Sequence, residues 1–314
     1  MVAFALLRAS LFLVPLFAPA ALAAPGAAKT VLTPFGERPV EDVHAVPEGV
    51  LSNYGSENTN TDVSLLGGQV VHVGGEVHLV DASGKVVHVA KNDGTKVRGT
   101  PIGDAVKPAQ TGWVAYAYWY NTGSSPISSF TTTWTVPPAP RTYHSQTVFL
   151  FNSIEPASGN AILQPVLQFG PSAAGGGGYW AVASWYLVGS KTYFTRPVQV
   201  PVGKSLQGVI TLTGHSGSSY NYVTSFSNVA GTSLTATGAA QLVWATETLE
   251  AYSITSPGTD YPSGSTVFSA INLRTSSGVP SVTWGTTSDS SDKLYTSVNN
   301  QGATNAKITI KYPS

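Results

Sequence analysis

Between Thr111 and Ser314 the apolar residues fall in short runs that alternate, or nearly alternate, with Thr, Ser and Gln. The runs are FTTTWTVP, QTVFLFNSI, AILQPVLQF, YWAVASWYLV, PVQVPV, SLQGVITLTG, QLVWATETLEAYSI, STVFSAINL and AKITIKY. They are rich in Val, Ile, Thr and aromatics, and turn clusters such as NTGSSP, SAAGGGG and GHSGSS separate them. A period near two with β-branched and aromatic residues predicts strands. No stretch carries an apolar stripe at helical spacing with caps. Strands this numerous and evenly spaced predict an all-β fold of two packed antiparallel sheets, a β-sandwich or jelly roll. No internal repeat of fixed period is present.

Upstream the pattern changes. GGQVVHVGGEVHLVDASGKVVHVA is strand-like, and the basic, turn-rich segment KNDGTKVRGTPIGDAVKPAQ follows it. Pro, Gly and scattered charge mark a boundary between about Asn92 and Gln110. Residues 24–110 hold ten of the sixteen acids and four of the six histidines, His44, His72, His78 and His88. This reads as a small β-containing pro-region on a cleavable linker; the alternative is an N-terminal β subdomain that stays attached. Residues 1–23 carry one early charge, Arg8, then LFLVPLFAPAALA ending in Ala21-Leu22-Ala23. That is the pattern of a secretory signal, too short and too interrupted by proline for a membrane span. No later stretch approaches ~18 uninterrupted apolar residues. The expected localisation is extracellular, with no membrane partner.

Composition narrows the picture. There is no cysteine, which removes thiol, disulfide and zinc-thiolate chemistry. The formal net charge is +0 and Lys/Arg are scattered, so no basic stripe offers itself to nucleic acid. Only 10% of residues are charged, so the surface is expected to be hydroxyl-rich. No Asn-x-Ser/Thr sequon occurs.

Ionisable groups are scarce from Thr111 onward: the carboxylates are Glu155, Glu247, Glu250, Asp260, Asp289 and Asp292, and the histidines His144 and His215. Both histidines lie in turn-like loops, no G-x-S-x-G elbow is present, and no HExxH or clustered ligand set suggests a metal. Asp260, Asp289 and Asp292 sit in polar loops and read as solvated. Glu247 and Glu250 fall inside QLVWATETLEAYSIT. Side chains alternate across a strand, so Trp244, Thr246, Thr248, Glu250 and Tyr252 share one face. Glu247 takes the other face with Val243, Ala245, Leu249 and Ala251, and reads as a surface strand glutamate. By the same parity Gln168 shares a face with Gln164, opposite Leu167 and Phe169. Each glutamine alone reads as a satisfied structural amide.

The order of these segments is more specific than any one of them. AILQPVLQFG, a glycine-rich turn, YWAVASWYL and then ATETLEAYSI resemble the core of the glutamic peptidases, the eqolisin family of secreted fungal acid proteases. Leu167-Gln168-Phe169-Gly170 matches that family's Leu-Gln-x-Gly strand, Ala181 to Tyr186 its aromatic strand, and Ala245 to Tyr252 the strand bearing its catalytic glutamate. GWVAYAYWYNTGSSPISSFTTTWTVPPAP is similar to its N-terminal strands. The likeness runs from Gln110 to about Leu273. The sequence departs from the family at Ser184, where the aromatic strand normally carries an acid. It departs again at FLFNSIEPASGN, which stands where an Asp-bearing loop is usual and offers Glu155 or Asn152 instead. Gln164 competes with Gln168 for the glutamine position; the glycine two residues on favours Gln168.

The resemblance implies a secreted acid endopeptidase without cofactor, with residues 111–314 as its catalytic domain. It would act on polypeptide substrates as a monomer, with its own propeptide as inhibitor. Glu250 would be the general base that activates water and the acid that protonates the departing amine. Gln168 would donate to the oxyanion. Trp180, Ser184, Trp185, Tyr186, Trp244, Tyr252 and Glu155 would line the substrate cleft. The alternatives are a jelly-roll glycan enzyme or lectin, in which Glu155 and Glu250 form an acid/base pair, and an inactive relative retained for binding.

Overall fold

In the computed structural model, described over residues 69–94, 112–189 and 191–314 together with the backbone of two short N-terminal strands, the chain is almost entirely β. The expected signal segment, His44 and the expected pro-region boundary near residue 110 lie outside the described residues. β1 (Thr30–Thr33) and β2 (Gly36–Pro39) pair with each other. β3 (Gln69–Val73), β4 (Glu76–Val80) and β5 (Val86–Lys91) are the strands read from GGQVVHVGGEVHLVDASGKVVHVA. Then come β6 (Trp113–Tyr120), β7 (Ile127–Thr135), β8 (Thr147–Pro156), β9 (Ala161–Ser172), β10 (Gly175–Val188), β11 (Lys191–Phe194) and β12 (Val198–Gln199). β13 (Ser205–Ser216), β14 (Ser219–Phe226), β15 (Leu234–Ala239) and β16 (Leu242–Tyr252) follow. A one-turn helix, α1 (Pro257–Asp260), precedes β17 (Ser265–Thr275), β18 (Gly285–Thr287), β19 (Tyr295–Asn300) and β20 (Ala306–Lys311).

Two large sheets result, as the alternation predicts. One has the order β11-β10-β9-β8-β16-β6-β18, with β12 also on β10; the other runs β19-β20-β17-β7-β13-β14-β15-β3-β4-β5. Their pairings are antiparallel except that of β15 with β3. β3–β5 therefore extend the second sheet by strand addition, and Val70, Val77 and Leu79 are buried in the same core as the rest. β14 and β15, SYNYVTSF and LTATGA, fall outside the predicted strands because hydroxyls and glycine dilute their apolar alternation.

The core lies between the sheets. From the first sheet it receives Val148, Leu150, Leu163, Leu167, Val182, Tyr186, Ala245 and Leu249; from the second Phe130, Trp134, Ile210, Tyr222 and Phe268. Trp134 packs edge-on against Phe226 and Phe268, ring centroids 5.6 and 5.5 Å away. The eight-stranded sheet has a second apolar layer on its other face, made of Trp113, Tyr116, Phe149, Phe151, Val166, Trp185 and Tyr252. A sheet buried on both faces reads as a near-continuous apolar run, which is why β8, β9 and β16 look so uniformly hydrophobic. The polar residues they do carry are the informative ones.

Candidate active site

Alternation assigns each polar side chain of the eight-stranded sheet to one face. Glu250 on β16 pairs with Phe149 on β8, and Phe149 pairs with Gln168 on β9. The row continues to Ala181 on β10 and, on the other side, to Trp113 on β6. Directly paired residues point to the same face. Glu250 and Gln168 thus stand on either side of Phe149, on the face turned away from the partner sheet. One intervening strand puts their Cα atoms about 10 Å apart. Both are buried, at 2% exposure.

Aromatic rings build the floor around this row. Phe149 meets Trp185 and Tyr252 edge-on, with centroids 6.1 and 6.3 Å away. Trp113 stacks on Trp244 at 6.1 Å and meets Phe151 and Tyr116 edge-on. The Tyr252 hydroxyl donates to Glu250 Oε1. Burial, the nearby Glu250 charge and that hydrogen bond together push the Tyr252 pKa well up, so the phenol stays a donor. Farther along the same face Ser153, Thr246 and Thr248 form a hydroxyl ladder at 2.7 and 2.9 Å.

Gln168 is already engaged in this arrangement. Its Nε2 donates to Gly170 O at 2.7 Å and Gly175 O at 2.6 Å, and its Oε1 accepts from Ser172 Oγ at 2.9 Å. An amide nitrogen has two protons, and both are committed to the β9–β10 turn. The turn depends on glycine: Gly170 and Gly176 have φ of +91° and +116°. A Cβ on Gly176 would lie 2.2 Å from Gln168 Nε2.

The end of the sheet beside the row is closed by a clamp on Asp260. Asp260 is buried rather than solvated as its loop sequence suggests, because α1 turns its carboxylate inward onto donors from two segments. Oδ1 accepts from Thr142 Oγ1. Oδ2 accepts from the Thr255 and Ser256 backbone amides at 2.8 and 2.7 Å and pairs with His144 Nε2 at 3.0 Å. Burial alone would raise its pKa, but these hydrogen bonds outweigh it and hold the carboxyl well below the usual range. His144 is thus part of this clamp, and Tyr143 beside it packs edge-on against Phe169 at 5.7 Å.

The expected site residues divide by face. Gln168, Glu250, Trp185, Trp244, Tyr252 and Glu155 share the outer face. Trp180, Ser184 and Tyr186 do not: they point into the inter-sheet core, since Trp180 pairs with core-facing Phe169 and the other two follow at even spacing. They do not line a cleft on the Gln168 face. Tyr186 instead bonds His72 Nε2 at 2.8 Å. Glu155 pairs with Trp244, six residues along β16 from Glu250. That is about 20 Å of extended strand, well beyond the ~5–10 Å at which two carboxylates share a glycosidic bond. The strand register therefore gives the acid/base pair of the glycan-enzyme alternative no support. Gln164 lies on the outer face opposite Trp185, four residues along β9 from Gln168 and away from the Glu250 row. Glu247 is fully buried between the sheets, not on the surface.

Phe149 and the Thr142–His144–Asp260 clamp have no place among the expected site residues. Alternation in QTVFLFNSI puts Phe149 on one face with Phe151 and Ser153, but nothing local says which face that is or that Phe149 separates Glu250 from Gln168. No group of three or more His, Asp or Glu that could hold a metal occurs among the described residues.

No protein-family profile and no curated protein matches the chain. Among solved structures it is similar to scytalido-glutamic peptidase bound to a peptide-based transition-state analogue, at 17% identity and TM-score 0.44, covering 64% of this chain and 98% of that one. It is also similar to SCP-B, described as a member of the eqolisin family of peptidases in complex with the tripeptide Ala-Ile-His, at 16% identity and TM-score 0.40, with the same coverage. A module described as the CBM2 of a Lactobacillus casei phage Dit protein overlaps less, at 14% identity and TM-score 0.29, over 44% of this chain and 61% of that one.

Proposed function

We propose that the protein is a secreted peptidase in which Glu250 activates water for attack on a peptide bond. The observation that carries this reading is the single register row Trp113–Glu250–Phe149–Gln168 on the outer face of the eight-stranded sheet. It sets one carboxylate and one carboxamide on either side of an aromatic floor, and the sequence resemblance to glutamic peptidases picks out the same two residues.

In this mechanism the Glu250 carboxylate, oriented by the Tyr252 hydroxyl, takes a proton from water as the oxygen attacks the carbonyl. The tetrahedral oxyanion then collapses and Glu250 returns the proton to the departing amine. The ring of Phe149 excludes water from the floor between the two polar arms, where fixed dipoles stabilise developing charge best. Gln168 donates to the oxyanion by exchanging its bond to Gly175 O for one to substrate. The substrate is a polypeptide, and Trp185, Trp244 and Tyr252 supply apolar walls for its side chains. Residues 1–23 as export signal and 24–110 as inhibitory propeptide belong to the same reading.

The test is hydrolysis of a denatured protein at about pH 3 and about pH 7, below and above the ordinary glutamate range, by the purified, processed chain. Glu250→Gln should abolish cleavage. Gln168→Ala should cost ~10²–10³ in rate if the amide is an oxyanion donor, and far less, with a lowered melting temperature, if it only secures the turn. Activity that survives Glu250→Gln refutes the mechanism.

A further inference from the structure

Between the sheets, on the face opposite the candidate site, polar atoms lie buried without partners. Glu247 on β16 pairs in register with Asn152 on β8, and both side chains face the second sheet at 0% exposure. Glu247 Oε1 accepts from Thr132 Oγ1 of β7. Among the described residues its Oε2 has no partner, and neither Asn152 Oδ1 nor Asn152 Nδ2 has one. Gly208 of β13 brings the second sheet down onto this spot: a Cβ there would lie 2.3 Å from Asn152 Oδ1 and 2.9 Å from a Trp134 ring carbon. The close approach leaves the pair walled in by protein.

Two of the orphaned atoms, Glu247 Oε2 and Asn152 Oδ1, are both acceptors when the glutamate is ionised. Buried acceptors are almost always satisfied in native structures, and two neighbouring ones can be satisfied together by one proton between them. Directly paired residues have Cβ atoms about 4.5–5.5 Å apart, within reach of one hydrogen bond after small side-chain rotations. We propose that Glu247 is kept as the neutral acid and donates to Asn152 Oδ1, forming a proton-dependent lock that joins β7, β16 and β8 and weakens when the proton leaves.

The surroundings support this. Among the described residues, register and contacts set against Glu247 the Thr132 hydroxyl from β7, the Asn152 amide from β8 and the Ala117 methyl from β6, with Gly208 of β13 and the Trp134 ring of β7 beyond Asn152; none of these is charged. Burial, only partly offset by the Thr132 hydrogen bond, pushes the Glu247 carboxyl well up. A group that holds its proton more tightly folded than unfolded contributes fully below the range where an unfolded glutamate ionises, about pH 4.3. That contribution is lost as pH rises through the folded value. The lock therefore contributes stability on the acid side whether or not Glu250 performs the chemistry proposed above.

The experiment is urea unfolding of the full chain from about pH 3.5 to about 7.5, around and above the ordinary glutamate range, beside Glu247→Gln, whose amide can donate to Asn152 at every pH. The wild-type unfolding constant should rise relative to the variant by up to about tenfold per pH unit between pH ~4.3 and the folded value, the slope of one proton. Parallel profiles overturn the proposal. Carboxyl-carbon NMR of the wild type needs no variant to fold: the Glu247 resonance should stay protonated at a pH where exposed glutamates have ionised. Titration together with them overturns the proposal equally. Neither readout uses catalysis.

Discussion

The Asp260 carboxylate ties Thr142 and His144, on the approach to β8, to Thr255 and Ser256, just past the end of β16, and so holds one end of the candidate cleft in shape. Asp260→Ala leaves two backbone amides without their acceptor in a buried place, at a cost of about 1–3 kcal/mol, and should lower the urea midpoint at about pH 6. The pH dependence has a definite sign. A carboxyl whose folded pKa is depressed contributes stability above its unfolded value, about 3.9, and loses it as pH falls through the folded value. The gap between wild type and variant should thus be full well above pH ~3.9 and shrink only in strong acid. A gap independent of pH would mean that the charge of Asp260 is not what the clamp uses. Its burial is illegible in SPGTDYPSG, since half of the donors lie on a loop more than a hundred residues upstream.

At the level of elements, the β9–β10 hairpin decides what Gln168 can do. A glutamine in a strand is ordinary; here the glycine-rich turn curls back so that two glycine carbonyls capture its amide. Gly176→Ala forces a side chain into the left-handed region, with its Cβ at 2.2 Å from Gln168 Nε2 and 2.4 Å from the Gly170 carbonyl oxygen, so the turn backbone must shift with the amide. We expect it to displace the amide: turnover in the proposed peptidase reaction should fall by about tenfold or more, on the scale of a misplaced oxyanion donor. The fold should survive, as far-ultraviolet circular dichroism would record. Unchanged turnover would detach Gln168 from the chemistry. The hairpin itself is legible as two apolar runs around SAAGGGG; the capture of the amide is not, because it depends on the backbone path through the turn.

For the molecule as a whole, the placement of β3–β5 matters most. The strands join the second sheet beside β15, and His72 bonds Tyr186, which lies five residues along β10 from the Gln168 row and on the opposite face. Burial lowers the His72 pKa; burial and the nearby Lys191 charge lower that of His88. A histidine depressed in the docked state costs nothing above its ordinary pKa of ~6.5 and weakens docking as pH falls below it. Hydrogen exchange of the β3–β5 amides, corrected for intrinsic rates, should show protection falling from about pH 7.5 to about 5, on either side of that ordinary value, while β7 and β13 hold. His72→Gln and His88→Gln together should flatten that difference. Equal loss in the double variant would remove the histidines from the account.

The sequence alone determines the sandwich, the same-face grouping of Glu250 with Tyr252 and of Gln168 with Gln164, and the absence of thiol chemistry. These follow from a period-two pattern and from composition, which are local or additive properties of the chain. It misplaces Trp180, Ser184 and Tyr186, because family-like order along a strand says nothing of which alternate residues face inward. Tertiary structure alone decides that β8 inserts between β9 and β16, so that Phe149 parts Glu250 from Gln168 and Glu155 falls far from both. It also decides that Glu247 is sealed against Asn152 and Thr132. Strand order and register join residues scores of positions apart, and no local pattern encodes which strand becomes whose neighbour.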